Sequence, residues 1–344
     1  MSTVYNNVLE LIGNTPMVKL NTVTKDVPAK VFAKLESFNP GHSTKDRIAL
    51  HIIEAAEKKG ILKPGATIVE TTSGNTGFSI AMVSIIKGYQ CILSVSDKTK
   101  PEKIAYLKAL GAKVFVCPAN VPADDPRSYY EVAKRIAAET PNSIYINQYF
   151  NELNTEAHYM STGPEIWEQT EGKVTHVFAC TGTGGTLSGA AKYLKEKNPD
   201  IKIIGVDALG SILKTYHETG EIHLEEVRPY QIEGMGKNLI PSALLFDKID
   251  HFVRVNDEDA AYRTREVALK EGIMGGYTTG AVTQGFLQYA QENPLTENDT
   301  VVLIYPDHGS RYISKVYSDE WMTEQGFTNN CVHSYEELFK TTII

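Results

Sequence analysis

Apolar residues along this chain fall into short runs, and between the runs they recur every three or four positions. The runs at 31–35 (VFAKL), 67–70 (TIVE), 90–95 (QCILSV), 113–117 (KVFVC), 175–180 (THVFAC), 201–206 (IKIIGV) and 300–305 (TVVLIY) have the length and composition of strands. Residues 46–59 place Ile48, Ile52, Ile53 and Ala56 on one side of a helix, and Gly60 follows in the position that ends helices. Further helices are predicted at 77–87 (closed by Gly88), 100–110 (closed by Gly111), 129–139, from near Leu187, and at 281–291. Apolar strands separated by helices of this length pair in parallel through crossovers, which makes the fold class α/β. The Pro- and Asp-rich segment 120–128 reads as a loop. No repeat or low-complexity tract is visible, and the pattern fades after Phe327, where a loose appendage is expected.

Composition narrows the class. At 344 residues the chain can form one large or two modest domains, and 42% apolar with 22% charged residues is ordinary for a globular protein. Lys and Arg total 34 against 42 Asp and Glu, a net charge of -8, which argues against nucleic acid or an anionic membrane as the main partner. Cys91, Cys117, Cys180 and Cys331 form no CxxC pair and keep no metal-ligand spacing to histidine, so they read as reduced thiols and no metal site is expected. The N-terminus lacks a signal-peptide pattern, and the longest apolar run, 80–86, is too short to span a bilayer; a cytoplasmic location is the expectation.

The candidate chemistry lies in the loops. Segment 39–47 (NPGHSTKDR) brings Lys45 to the start of the first long helix. A lone lysine there is ordinarily a solvated surface residue. Segment 70–77 (ETTSGNTG) offers the polar side chains of Thr72, Ser73, Asn75 and Thr76 around Gly74, more than one helix cap requires. Hydroxyls and free N–H groups at a helix start suit a carboxylate. In segment 180–186 (CTGTGGT), Gly182, Gly184 and Gly185 let backbone approach an anion, and Thr183 and Thr186 add hydroxyls. That loop is equally readable as a plain strand–helix turn. A dinucleotide fingerprint with Asp207 as the ribose acid is weaker, because Leu187 stands where the third glycine belongs. Segment 275–280 (GGYTTG) is either a loop or a source of hydroxyls for a ring nitrogen. A lysine, a polar loop and a glycine-rich anion loop are the parts needed to hold pyridoxal phosphate and an amino acid: the aldehyde as a Schiff base, the amino acid's carboxylate and the phosphate.

Together these motifs resemble the fold-type II pyridoxal-phosphate enzymes, specifically the cysteine synthase and cystathionine β-synthase family. The resemblance runs from 11–17 (LIGNTPM) to about Phe327. It implies two three-layer α/β domains with mostly parallel sheets, with pyridoxal 5'-phosphate in the cleft between them. A smaller, mobile domain would span 46–155 and carry the carboxylate loop. A larger one, 1–45 with 156–330, would carry the phosphate loop, and 331–344 would be a tail. By motif, Lys45 matches the Schiff-base lysine and Asn75 the partner of the ring hydroxyl. Thr72, Ser73, Gly74 and Thr76 match the substrate-carboxylate grip, with Gln148, Tyr149 and Gly234 beside it. Gly182, Thr183, Gly184, Gly185 and Thr186 match the phosphate cradle. Thr278 stands where the family's serine faces the pyridine nitrogen; a neutral hydroxyl there weakens the electron sink and favours expelling a β-substituent.

Within the family, 231–236 (QIEGMG), 124–130 (DDPRSYY), 307–312 (DHGSRY) and 319–322 (DEWM) resemble bacterial cystathionine β-synthases. Glu233, where cysteine synthases usually carry glutamine, is then expected to assist proton transfer for serine's poor leaving group. His42, Lys237 and Tyr277 depart from the family pattern and are expected to line or approach the second substrate's entrance. The activity implied is L-serine plus L-homocysteine to L-cystathionine and water through an aminoacrylate. Cysteine synthesis from O-acetylserine and sulfide is the alternative. The resemblance also implies a homodimer; no N-terminal haem segment and no C-terminal regulatory module is visible in the sequence, so the haem and adenosylmethionine control of some family members are expected to be absent. A nicotinamide-dependent dehydrogenase using 182–186 with Asp207, and a catalytically silent regulator, stay open as other classes.

Overall fold

The computed structural model describes residues 4–327 apart from Ser73 and Ala123. The tail after Phe327, with Cys331, and the carboxylate-loop candidate Ser73 therefore lie outside the described residues. Its strands are β1 (Met17–Lys19), β2 (Lys30–Leu35), β3 (Thr67–Thr71), β4 (Gln90–Ser96), β5 (Lys113–Cys117), β6 (Ser143–Tyr145), β7 (His176–Cys180), β8 (Lys202–Ala208), β9 (His251–Val255) and β10 (Thr300–Tyr305). Its helices are α1 (Lys45–Lys58), α2 (Asn75–Lys87), α3 (Pro101–Ala109), α4 (Tyr129–Glu139), α5 (Glu152–Met160), α6 (Thr162–Gln169), α7 (Gly185–Lys197), α8 (Leu213–Thr219), α9 (Asp257–Glu271), α10 (Tyr277–Glu292) and α11 (Asp319–Glu324).

Two sheets form. One has the order β5-β4-β3-β6 and is parallel throughout; the other has the order β1-β2-β10-β7-β8-β9 and is parallel except for the β1–β2 edge pair. Alternate side chains along each strand enter different cores, as the period-2 geometry of a strand requires. In the smaller sheet Ile68 and Leu93 pack with Ile48, Ile52, Ile53 and Ile80 of α1 and α2, while Val69 and Ile92 face Ala133 of α4. In the larger one Val301, Leu303 and Tyr305 pack under α9 and α10, and Val302 and Ile304 pack under α6 and α7. Helices cover both faces of each sheet, so strands such as β10 are buried at every position. Helix α5 packs against both α1 and α7 and joins the two bodies.

The ends of α1, α2, α7 and α10 differ from the sequence expectation in one direction. Each starts earlier than its apolar pattern, at Lys45, Asn75, Gly185 and Tyr277. The polar residues read as loop are in fact the first helical turns. Among the described residues no helix is long and apolar enough to cross a membrane, and no cluster of His, Cys, Asp and Glu is arranged to hold a metal ion. Cys91 and Cys117 are buried free thiols and Cys180 is a half-buried one; burial pushes the Cys91 thiol up to about 12.

Candidate active site

In a parallel sheet every carboxyl end points the same way, and ligands settle beyond those ends. Here the loops after β3, β4, β6, β7 and β10 converge on one cavity of about 560 Å³ between the sheets. Its walls include Lys45, Thr72, Gly74, Asn75, Thr76, Gln148, Tyr149, Gly182, Thr183, Gly184, Thr186, Glu233, Gly234 and Thr278. Gly185 stands behind the wall: a Cβ there would lie 2.0 Å from Asn154 Oδ1, so the glycine lets α5 reach the loop.

Three helices turn their N-terminal ends toward this cavity without a capping side chain. The N-cap residues of α2, α7 and α10 are Gly74, Gly184 and Gly276, and none supplies a side-chain bond. Ser128, Asn151, Asn256 and Ser318 cap α4, α5, α9 and α11 through their side chains, whereas α1, α3, α6 and α8 also start without a side-chain cap. First-turn N–H groups without caps need another acceptor, and an anionic ligand provides it. Gly184 has φ +85, and a Cβ on it would lie 2.4 Å from Leu244. A Cβ on Gly182 would lie 2.3 Å from the carbonyl oxygen of Gly234. Only glycine fits either place, which keeps the cradle open to a phosphate-sized group.

The hydroxyls of the cradle are fixed from behind. Asn154 Nδ2 donates to Thr183 Oγ1 at 3.0 Å and to the Gln148 carbonyl at 2.8 Å. Thr186 Oγ1 lies 3.1 Å from His158 Nε2, and His158 Nδ1 lies 2.8 Å from Thr162 Oγ1. Burial holds the His158 pKa well below its ordinary value, so the imidazole is neutral and offers one donor and one acceptor. Sequence reasoning missed both residues. Their signal was an i, i+4 pair of polar side chains, Asn154 and His158, on one face of a helix.

Lys45 is the first residue of α1. The segment before it is pinned to the end of β10: Ser43 bridges to Asp307, and the Thr44 N–H donates to Pro306 at 2.8 Å. Behind it Asp46 accepts from Ser79 and from the Gly41 N–H, each at 2.5 Å, tying α1 to α2. Among the described residues no carboxylate pairs with the Lys45 amine, which faces the cavity. Burial lowers its pKa, Asp307 and Glu36 oppose that, and the Lys237 charge adds to the lowering. The result favours a neutral amine, the form that condenses with an aldehyde or takes a proton.

Asn75 is held at both ends of its amide. Its Nδ2 donates to Asp307 Oδ2 at 2.8 Å, and Arg311 donates to its Oδ1. One Nδ2 hydrogen remains for a ring hydroxyl. Arg311 also stacks 4.4 Å from the Phe78 ring centroid and donates to the Gly41 carbonyl at 2.5 Å. The carboxylate loop closes with Thr76 Oγ1 donating to Gln148 Oε1 at 2.7 Å, and Thr72 Oγ1 accepts from the Gly74 N–H at 3.2 Å.

The sequence expectations at the entrance need correcting. Glu233 lines the cavity, but its carboxylate accepts from Lys103 at 2.6 Å and from Lys315. Despite burial, these two ammonium groups hold its pKa below the ordinary range, so it stays ionised and is not a poised proton donor. Tyr277 is fully buried, donates to the Asp257 carbonyl at 2.7 Å and packs edge-on against Trp321; it does not line the cavity. His42 adopts φ +59, a backbone conformation that favours glycine, and its ring lies 5.4 Å from that of His308, outside the cavity wall. Only Lys237 of the three lines it. Asp207 accepts from the Ala208 and Lys214 N–H groups at 3.0 Å each and is fully buried. It is not on the cavity wall, which removes the ribose acid that a dinucleotide reading requires.

Glu70 sits behind the carboxylate loop, fully buried. It accepts from the Thr71 N–H at 2.6 Å and the Gln148 N–H at 3.1 Å, and burial raises its pKa to about 7. A carboxyl with a raised folded pKa binds its proton more tightly in the folded state, so its share of stability is present at low pH and is lost as pH rises from 4.5 through about 7. Glu70→Gln removes that titration. Relative to wild type, the variant should gain up to about 3 kcal/mol in unfolding free energy between pH 5 and 8. Urea unfolding at both pH values measures this, and a difference independent of pH would refute it.

Comparison with known proteins agrees with this geometry. Residues 8–307 match the family model described as pyridoxal-phosphate dependent enzyme. The chain is 44% identical over 323 residues to cystathionine beta-synthase of Rattus norvegicus, covering 93% of this chain and 57% of that protein. It thus spans little more than half the length of that relative. It is 39% identical over 310 residues to cysteine synthase of Staphylococcus aureus, covering 90% of this chain and 96% of that one. A hydrogen sulfide-producing enzyme from Fusobacterium nucleatum superposes with a TM-score of 0.81 at 35% identity, over 90% of this chain and 99% of that one. With a lysine that has no ion-pair partner among the described residues, a polar loop and a glycine-rich helix start lining one cavity, these matches show that the chain belongs to the pyridoxal-phosphate dependent enzymes, in the family of cystathionine β-synthase and cysteine synthase.

Proposed function

We propose that this enzyme carries out β-replacement on L-serine with L-homocysteine, giving L-cystathionine and water. The observation that supports this reading is the convergence on one cavity of an unpaired amine, a carboxylate loop and an anion cradle. Pyridoxal phosphate, when bound, supplies the electron sink that acidifies an amino acid's α-proton and lets a β-substituent leave. The first turn of α7 with Gly182, Thr183, Gly184 and Thr186 holds its phosphate, Asn75 meets its ring hydroxyl, and Thr278 faces its ring nitrogen. Thr72, Thr76, Gln148 and the free N–H groups of α2 bind the amino acid's carboxylate, with Ser73 completing that loop. Lys45 Nζ would hold the aldehyde carbon at rest and, once the amino acid's own amine has taken its place there, would be the neutral amine that takes the α-proton. Glu233 acts as an ionised anchor for Lys103 and Lys315 at the mouth, with no proton to give. The smaller sheet and its helices closing over the carboxylate loop exclude water.

Similarity to cysteine synthase favours a second reading, cysteine formation from O-acetylserine and sulfide. The two separate on one measurement. We expect kcat/KM for serine with homocysteine to exceed that for O-acetylserine with sulfide, and the reverse order would assign cysteine synthase. Purified protein with no visible cofactor absorbance and no turnover of either pair would overturn both.

A further inference from the structure

The wall of the cavity carries more lysines than the chemistry of the cofactor needs. Lys103 and Lys315 spend their charge on Glu233, Lys45 is reserved for the aldehyde, Lys98 is exposed to solvent, and Lys100 turns its amine to Ser314 Oγ, 3.3 Å away, in an exposed contact. Lys237 is different. It is half-buried on the cavity wall, and among the described residues no carboxylate pairs with it. Its Nζ donates to Tyr149 Oη at 3.2 Å and lies 4.8 Å from that ring's centroid. An ammonium with no carboxylate partner on a cavity wall is free to make a charge-assisted hydrogen bond with an anionic ligand.

Its aim is fixed by the backbone. The Lys237 N–H donates to Ser211 Oγ at 2.8 Å, and its carbonyl accepts from the Ile212 N–H at 2.9 Å. Gly236 before it has φ +71 and packs on Tyr230, where a Cβ would lie 2.7 Å from the hydroxyl. The first substrate's carboxylate already has Thr72, Thr76, Gln148 and the start of α2. Lys237 follows Gly236, outside the segments that form that loop, and its amine reaches Tyr149, the residue after Gln148.

We propose that Lys237, oriented by Tyr149, binds the carboxylate of the second substrate, so that the site selects thiols bearing a carboxylate over sulfide or neutral thiols. This rests on the β-replacement reading above. A charge-assisted hydrogen bond of about 1.5–3 kcal/mol corresponds to about ten- to a hundredfold in kcat/KM.

The test uses the cofactor-loaded enzyme and the variants Lys237→Met and Lys237→Arg. The methionine variant should lose about ten- to a hundredfold in kcat/KM for homocysteine while changing less than about twofold for sulfide and 2-mercaptoethanol. Its spectral titration with serine in the absence of thiol should match wild type, and the arginine variant should recover most of the homocysteine rate. Equal losses for all three nucleophiles, a weakened serine titration, or no loss at all would each overturn the proposal. A wild-type enzyme whose spectrum does not respond to serine or O-acetylserine would sink the β-replacement reading itself, before any thiol is added, and the proposal with it.

Discussion

Lys45→Ala is expected to lower β-replacement by at least about 10³–10⁴-fold, the scale of losing a positioned general base, together with the loss of the covalent link to the cofactor. The effect should be confined to chemistry. The Lys45 amine makes no ion pair or hydrogen bond among the described residues, so its removal leaves no polar partner unsatisfied. Unfolding free energy should therefore stay within about 1 kcal/mol of wild type or rise slightly. The loop proposed to hold the phosphate is built from the start of α7 and the residues before it, with Asn154 and His158 behind, and makes no bond to the Lys45 amine among the described residues. The variant should still bind pyridoxal phosphate, reversibly and without the absorbance of a lysine-linked aldehyde. Dialysis followed by a visible spectrum separates these outcomes. A variant that kept the linked band or more than a tenth of the wild-type rate would show that another amine does the work.

The fold was legible wherever a strand carries an unbroken apolar run, since helices on both faces of a parallel sheet leave no alternation to misread. The strands β2, β3, β4, β5, β7, β8 and β10 follow from such runs. The short edge strands β1 and β6 bury little and leave no comparable mark. The helix starts at the site were misplaced for a functional reason. Where a helix end must stay uncapped for a ligand, the capping residue that signals a start is absent, and Gly74, Gly184 and Gly276 look like loop. The candidate residues that line the cavity were legible as motifs, because they lie in contiguous loops. Those that fix them were not. Asp307 meets Asn75 and His158 meets Thr186 only through the tertiary fold. Glu233 shows the same limit: its place in the cavity was readable, but the two lysines that neutralise it come from distant segments.

Arg47→Met should cost about 3–5 kcal/mol of unfolding free energy at neutral pH, the penalty for leaving a buried carboxylate without its partner. Arg47 lies two residues beyond Lys45 and donates to Glu36 at 2.7 and 2.8 Å and to Glu165 at 2.6 and 2.8 Å. Lys34 Nζ donates to Glu165 at 2.6 Å, so two cations and two carboxylates close a nearly dry cluster under the start of α1. Arg47 is the main reason that Glu36, fully buried, is held at about 2 against its desolvation. That depressed value contributes stability above pH 4.5 and loses it only as pH falls toward 2. Without Arg47, burial is opposed only by Lys34 and the Thr15 hydroxyl, so the folded pKa of Glu36 rises and the cost of the substitution should grow from pH 5 to 8. The double variant Arg47→Met, Glu36→Leu removes one charge of each sign and leaves Lys34 paired with Glu165. It should recover most of the lost stability, because apolar replacements of a whole buried pair are often neutral. Chemical denaturation of the single and double variants at both pH values tests the claim, and a pH-independent loss or no recovery would refute it. A double variant that regains stability but not turnover would show that the cluster's contribution lies in aiming the Lys45 end of α1 at the cavity.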